Sequence, residues 1–184
     1  MKTITIPERE LWDEKKEEFV RFPKKTIQIE HSLVSIRKWE SKWHKPFLNR
    51  KEKKTSEETI SYIQCMTVSP NNIELDFYRY LPDNVLEEIQ KYIDNPMTAT
   101  WFNEAGKPEI PFKEEVITAE IIYYWMIALN IPVEFEKWHI HQLLTLIKVV
   151  NIKTSPKKKM GMKEDLKQRD ALNKLRRAKY GSKG

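Results

Sequence analysis

Glycine is scarce in this chain, four in 184 residues. That leaves little material for a phosphate-cradling loop or a glycine-rich barrel, and no Gly-x-Gly-x-x-Gly, P-loop, Gly-x-Ser-x-Gly or His-Glu-x-x-His pattern occurs. There is one cysteine, Cys65, which excludes an internal disulfide framework and fits a reducing compartment. Within Tyr62-Ile63-Gln64-Cys65-Met66 it reads as a small buried hydrophobe. Long apolar runs are also missing. The longest, Ile121 to Leu129, has nine residues and is bounded by Glu120, Asn130 and Pro132. A membrane helix needs roughly 20, so this run reads as a buried core helix. The start, Met1-Lys2-Thr3-Ile4-Thr5-Ile6-Pro7, has no apolar signal-peptide core.

Histidine is sparse too, at His31, His44, His139 and His141. His139 and His141 lie two apart, about 200° around a helix, a separation that does not let them share a metal. The acidic pairs Glu17-Glu18, Glu57-Glu58, Glu87-Glu88 and Glu114-Glu115 are sequence neighbours. Neighbours do not converge on one helix face, so they read as solvated charge or first-turn carboxylates. The expectation is a protein with no catalytic residues, no metal and no cofactor.

What is present suits one compact domain with an extension. Forty per cent of the residues are apolar and six are tryptophan. The formal charge is +6, unevenly placed. Residues 153–184 carry twelve Lys/Arg against three acids, or +9. Of the chain's 33 basic and 27 acidic residues, 21 and 24 then fall in the remainder, or −3. The basic character belongs to the tail, which can meet nucleic acid, an acidic partner or only water.

Residues 1–30 read as strands: Thr3–Ile6 and Thr26–Ile29 alternate, Glu18–Phe22 nearly does, and Pro7 and Pro23 punctuate the gaps. From residue 31 to 152 the period is mainly helical. Ser32 caps a helix carrying Leu33, Ile36, Trp39 or Glu40, and Trp43, which Pro46 ends. Thr55-Ser56-Glu57-Glu58 has capping-box spacing, with Ile60, Ile63 and Val68 on the helix that follows. Pro82-Asp83 opens another, with Val85, Leu86, Ile89, Tyr92 and Ile93 on its apolar face. A short strand fits Thr98–Phe102. Two long helices, capped by Thr118 and divided by Pro132, form the heart of the core. The second spans roughly Glu134 to Asn151, and Trp125 and Leu144 are expected to be buried in them. A hinge at residues 154–159 leads to a thinly apolar helix near Met162–Tyr180, ended by Gly181. The fold class is α+β: a small N-terminal antiparallel sheet on a mainly helical body (1–152), with a basic helical extension (153–184).

The candidate contact residues are aromatic or basic. Trp39 and Trp43, at i and i+4 beside Lys38, Lys42, His44 and Lys45, suit either a protein contact or base stacking, and also suit core packing. Trp101 is a third partner-binding candidate. In the tail, Lys167, Arg169, Lys174, Arg176, Arg177 and Lys179 would crowd one helix and could contact phosphate.

Several stretches carry a resemblance. Ile29-Glu30-His31-Ser32-Leu33-Val34-Ser35 leads into Lys38-Trp39-Glu40-Ser41-Lys42-Trp43. Pro96-Met97-Thr98-Ala99-Thr100-Trp101-Phe102 follows, then Ile117-Thr118-Ala119-Glu120-Ile121-Ile122-Tyr123-Tyr124-Trp125-Met126. Trp138-His139 through Leu143-Leu144-Thr145-Leu146-Ile147, and the end from Arg169 to Gly184, complete the set. Together they resemble a family of tail-module proteins from tailed phages of low-GC Gram-positive bacteria. The resemblance implies a tail assembly chaperone in the host cytoplasm that binds the tape-measure protein, and homo-oligomers are possible. The alternative it leaves open is a minor virion protein, or a nucleic-acid-binding accessory that uses the basic tail. It supplies no catalytic motif.

Overall fold

The computed structural model describes residues 1–13, 17–49, 52–70, 72–102 and 116–154, together with 169, 170, 173, 176 and 177. The chain divides into two units, Met1–Asn151 and Ile152–Gly184.

The first unit is α+β. Strand β1 (Lys2–Ile6) pairs antiparallel with β4 (Lys25–Ile29), with Ile4 opposite Ile27 and Ile6 opposite Lys25. The alternation seen in the sequence sets the faces. Ile4, Ile6, Ile27 and Ile29 are buried, while Thr5 and Thr26 share a hydrogen bond on the exposed side. Between these partners runs a separate two-stranded ribbon, β2 (Arg9–Asp13) with β3 (Glu18–Phe22).

The helices pack on the inner face of the sheet. In α1 (Leu33–Trp43), Ser32 caps the start by accepting from the Ser35 N–H, and His44 ends the helix in the left-handed region at φ 53°. In α2 (Ser56–Met66) the capping box is complete: the Glu58 N–H donates to Thr55 Oγ1 and the Thr55 N–H to Glu58 Oε2. Strand β5 (Thr67–Ser69) then joins the sheet beyond β4, giving the order β1-β4-β5. The sheet is therefore not confined to the first 30 residues. Val68, expected on a helix, is an exposed strand residue. A short α3 (Leu75–Arg79) and α4 (Asp83–Ile93) follow, and α4 buries Val85, Ile89 and Tyr92. No strand occurs among the described residues between 95 and 102.

The two last helices of this unit differ from expectation. The apolar run Ile121–Leu129 is expected to be a buried core helix, yet α5 (Ala119–Ala128) buries only Ala119, Ile122 and Met126. Tyr124 and Ile127 are exposed. Trp125 is half-buried, as is Leu144. The expected helix from Glu134 to Asn151 is broken. Residues Val133–Lys137 form a 3-10 turn, and α6 (Ile140–Thr154) starts only after Trp138-His139. The break has a cause in backbone pairing. His139 forms an antiparallel bridge with Ser32, and the Ile140 N–H donates to the His31 carbonyl at 2.8 Å, so residue 139 is extended rather than helical.

In the second unit, Arg169, Asp170, Asn173, Arg176 and Arg177 are helical and exposed. Thr154, expected to open the hinge, is instead the last residue of α6; residues 155–159, Met162, Tyr180 and Gly181 lie outside the described residues.

Candidate functional site

Two of the three tryptophans singled out in the sequence are structural. Trp39 is 1% exposed, and its indole N–H donates to the Glu58 carbonyl at 2.8 Å. That placement removes it as a contact for a partner. Trp43 stacks on it at 6.2 Å between ring centroids and donates to Ser61 Oγ. Phe47 packs edge-on against Trp39 and face-on against Tyr62, and Lys54 Nζ lies 4.3 Å from the Phe47 ring centroid. The tryptophans and the nearby Lys45 and Lys54 are thus committed to each other and to Glu58, which Lys45 contacts at 2.6 Å. That ammonium, with the Thr55 N–H, holds the Glu58 carboxyl below its ordinary range. Burial lowers the Lys54 ammonium.

Trp101 is the opposite case. It is 86% exposed, on an irregular stretch after α4. Other apolar side chains accompany it in exposure: Val116 and Ile117 on the approach to α5, Tyr124 and Ile127 on its outer face, and Val133 after Pro132. Beneath that outer face, the Tyr123 hydroxyl donates to Glu136 at 2.6 Å, and burial followed by this carboxylate pushes the phenol up to about 12. A second exposed pair, Trp12 and Phe19, sits cross-strand on the β2–β3 ribbon with ring centroids 5.0 Å apart. The ribbon and α3 enclose a groove of about 560 Å³ floored by Leu11, Val20, Phe22, Phe77 and Tyr80.

Glu40 is buried at 8% exposure. Its two carboxylate oxygens accept from the Phe47 N–H at 2.7 Å and the Ala119 N–H at 2.8 Å, so one side chain joins α1 to the following loop and to the first turn of α5. Burial raises its pKa and the two amides pull it back. The sequence placed Glu40 on the helix face but gave no sign of these partners, which are separated from it by seven and 79 positions.

Three of the four histidines meet. The ring centroids of His31, His139 and His141 are 5.0 to 5.9 Å apart. The argument from helical spacing fails here because His139 precedes the helix. Among the described residues, no group of three His, Cys, Asp or Glu is arranged to hold a metal ion. Cys65 is half-buried, and its thiol is raised by burial. Among the described residues no helix is long and apolar enough to cross a membrane.

Of the tail candidates, Arg169, Arg176 and Arg177 are exposed on helical backbone, and Lys167, Lys174 and Lys179 lie outside the described residues. No protein-family model, no curated protein and no solved structure matches the chain.

Proposed function

We propose that this protein is a non-catalytic binding protein that covers an apolar helical client, and that it acts as a tail assembly chaperone on the tape-measure protein of a tailed phage, in the host cytoplasm. The observation that carries the reading is the outer face of α5. A helix whose central seven residues are all apolar leaves Tyr124 at 67% and Ile127 at 71% exposure. Side chains three apart on one helix face can lie against a second helix, the contact a long amphipathic client requires before it is packed into a tube. A contiguous exposed apolar patch marks a contact surface, and Tyr124 and Ile127 stand together on one face of the helix. Trp101 offers a further anchor of the residue type most enriched at such contacts.

The second reading, a virion or nucleic-acid-binding accessory protein, is favoured by one feature. The tail holds +9 of formal charge, including the exposed Arg169, Arg176 and Arg177. Binding through phosphates falls steeply with salt because each neutralised phosphate releases counterions, whereas apolar contacts do not. The test is capture of the tape-measure protein at low and high salt, with and without residues 153–184, alongside a gel shift on duplex DNA. The chaperone reading expects retention under all four conditions and loss in a Tyr124→Ser, Ile127→Ser double variant. Tight tail-dependent DNA binding at physiological salt with no client retention would transfer the function to the tail.

A further inference from the structure

The histidine cluster lies where five elements meet. His31 follows β4 and precedes α1. Its Nδ1 shares a hydrogen bond with the Tyr62 hydroxyl from α2, and its backbone N–H faces the Tyr92 hydroxyl of α4 at 3.5 Å. His139 Nε2 lies 3.1 Å from the Tyr92 carbonyl. A carbonyl only accepts, so Nε2 carries the proton, and in the neutral ring Nδ1 is left as the acceptor. That Nδ1 is buried and has no hydrogen-bond partner. His31 is 2% exposed and His139 5%, while His141 is half-buried beside both. Buried polar atoms without partners are uncommon, and each one asks for a reason.

The same place fastens α6. The backbone of the segment entering α6 is joined to the sheet and α1 by the Ser32–His139 bridge and the Ile140 N–H to the His31 carbonyl, both within the cluster. We propose that His31 and His139, packed against each other and against the His141 ring, form a proton-operated latch on the start of α6, closed while these two buried rings are neutral and opened when they take up protons. A proton arriving at His139 Nδ1 makes a buried N–H with no acceptor. A proton on His31 makes both its ring nitrogens donors, and the Tyr62 hydroxyl must turn away from donating. Two charged rings about 5 Å apart then repel one another. Opening frees the buried face of α6, Ile140, Leu143 and Ile147.

The surrounding groups do not compensate. Among the described residues no carboxylate makes a hydrogen bond or ion pair with any of the three rings. From the β4–α1 side, Glu30 acts on the Tyr92 hydroxyl, and the Glu40 oxygens are held by two backbone amides. From α2 come Tyr62, whose phenol is raised well above its ordinary value chiefly by burial, and Cys65. From α4 comes Tyr92. The chain's amino terminus adds positive charge that works against a proton on His139. Burial first, then the neighbouring imidazoles, lower His31 from 6.5 to about 3. Burial also lowers His139. The opened state therefore binds protons that the closed state refuses. The latch is at full strength above about pH 6.5 and weakens as pH falls from there toward 3. Uptake at His31 alone makes opening about 30-fold more favourable at pH 5.0 than at pH 7.5.

Hydrogen exchange on the full chain at pH 7.5 and 5.0, corrected for intrinsic rates, tests the latch. The expected result is a loss of protection at 140–150 at least about tenfold greater than in α2 and α4, abolished in His31→Gln and reduced in His139→Gln. Ring NMR of the unsubstituted protein asks the same question without a variant. It should show His31 or His139 gaining its proton together with the opening of α6. A change spread evenly over α2, α4 and α6, no change at pH 5.0, or an acid response that stays at full size in His31→Gln would overturn the proposal.

Discussion

Helices α1 and α5 have nearly the same length and opposite relations between composition and burial. Helix α1, Leu-Val-Ser-Ile-Arg-Lys-Trp-Glu-Ser-Lys-Trp, is the more polar, yet it buries Leu33, Ser35, Ile36, Trp39 and Glu40. Helix α5, Ala-Glu-Ile-Ile-Tyr-Tyr-Trp-Met-Ile-Ala, is among the most apolar in the chain and buries three residues. The difference lies in what each helix is flanked by. Helix α2, α5 and the 3-10 turn Val133–Lys137 flank α1, and its polar side chains enter the interior because each has a partner: Ser35 donates to the Glu30 carbonyl, Trp39 to that of Glu58, and Glu40 accepts from two amides. Helix α5 has α1 on one side. Apolar content measures how much a helix gains by being covered, and hydrogen-bond partners decide whether a polar one can be.

Substitutions rank the two helices directly. The largest effect is expected at Trp39→Ala, which removes the centre of the aromatic stack and the indole donor to the Glu58 carbonyl, at about 3–5 kcal/mol in chemical denaturation. Ile122→Ala on the inner face of α5 should cost about 2–5 kcal/mol. A value under about 0.5 kcal/mol would mean that α5 is scarcely held. Glu40→Gln keeps the shape but supplies one acceptor where two amides need one each. A loss of about 1–3 kcal/mol is expected, and a neutral result would show that water replaces the carboxylate. The smallest effect belongs to Ile127→Ser, within about 0.5 kcal/mol. A cost matching that of Ile122→Ala would show that the outer face of α5 is covered within the folded chain, and would remove the main support for a client-binding role.

What could be read in advance follows from how local each cause is. The alternation of Ile4/Ile6 and Ile27/Ile29, the Ser32 cap and the Thr55–Glu58 box are contained in a few consecutive residues, and all three appear as expected. Strand β5 is three residues long and exists because β4 offers an edge, a fact absent from Thr67-Val68-Ser69 itself. The helix break at His139 likewise depends on Ser32, 107 positions earlier. Helical spacing puts His139 and His141 on opposite sides of a helix that begins only at Ile140. The exposure of Tyr124 could not be read from its neighbours, which are all apolar. The Trp39–Trp43 pair was legible as one face, and its burial against α2 was not. At Trp101 the sequence named a residue that does stand in solvent.

Because Ile6 and Lys25 face each other across the β1–β4 ladder, the β2–β3 ribbon is grafted into what would otherwise be an ordinary hairpin. Residues 7–24 leave the main sheet and return to the same rung. The attachment points are already at hairpin distance, so the excursion behaves as a cassette. It can lengthen, shorten or carry foreign sequence while the ladder keeps its register, and loop-closure entropy changes by only about 0.6 kcal/mol for each doubling of its length. Phe22 ties it to the body, against Phe77 and Tyr80, among the described residues. Variation among proteins sharing this fold would be expected to collect in that insert, leaving β1, β4 and the helices behind them as the invariant frame.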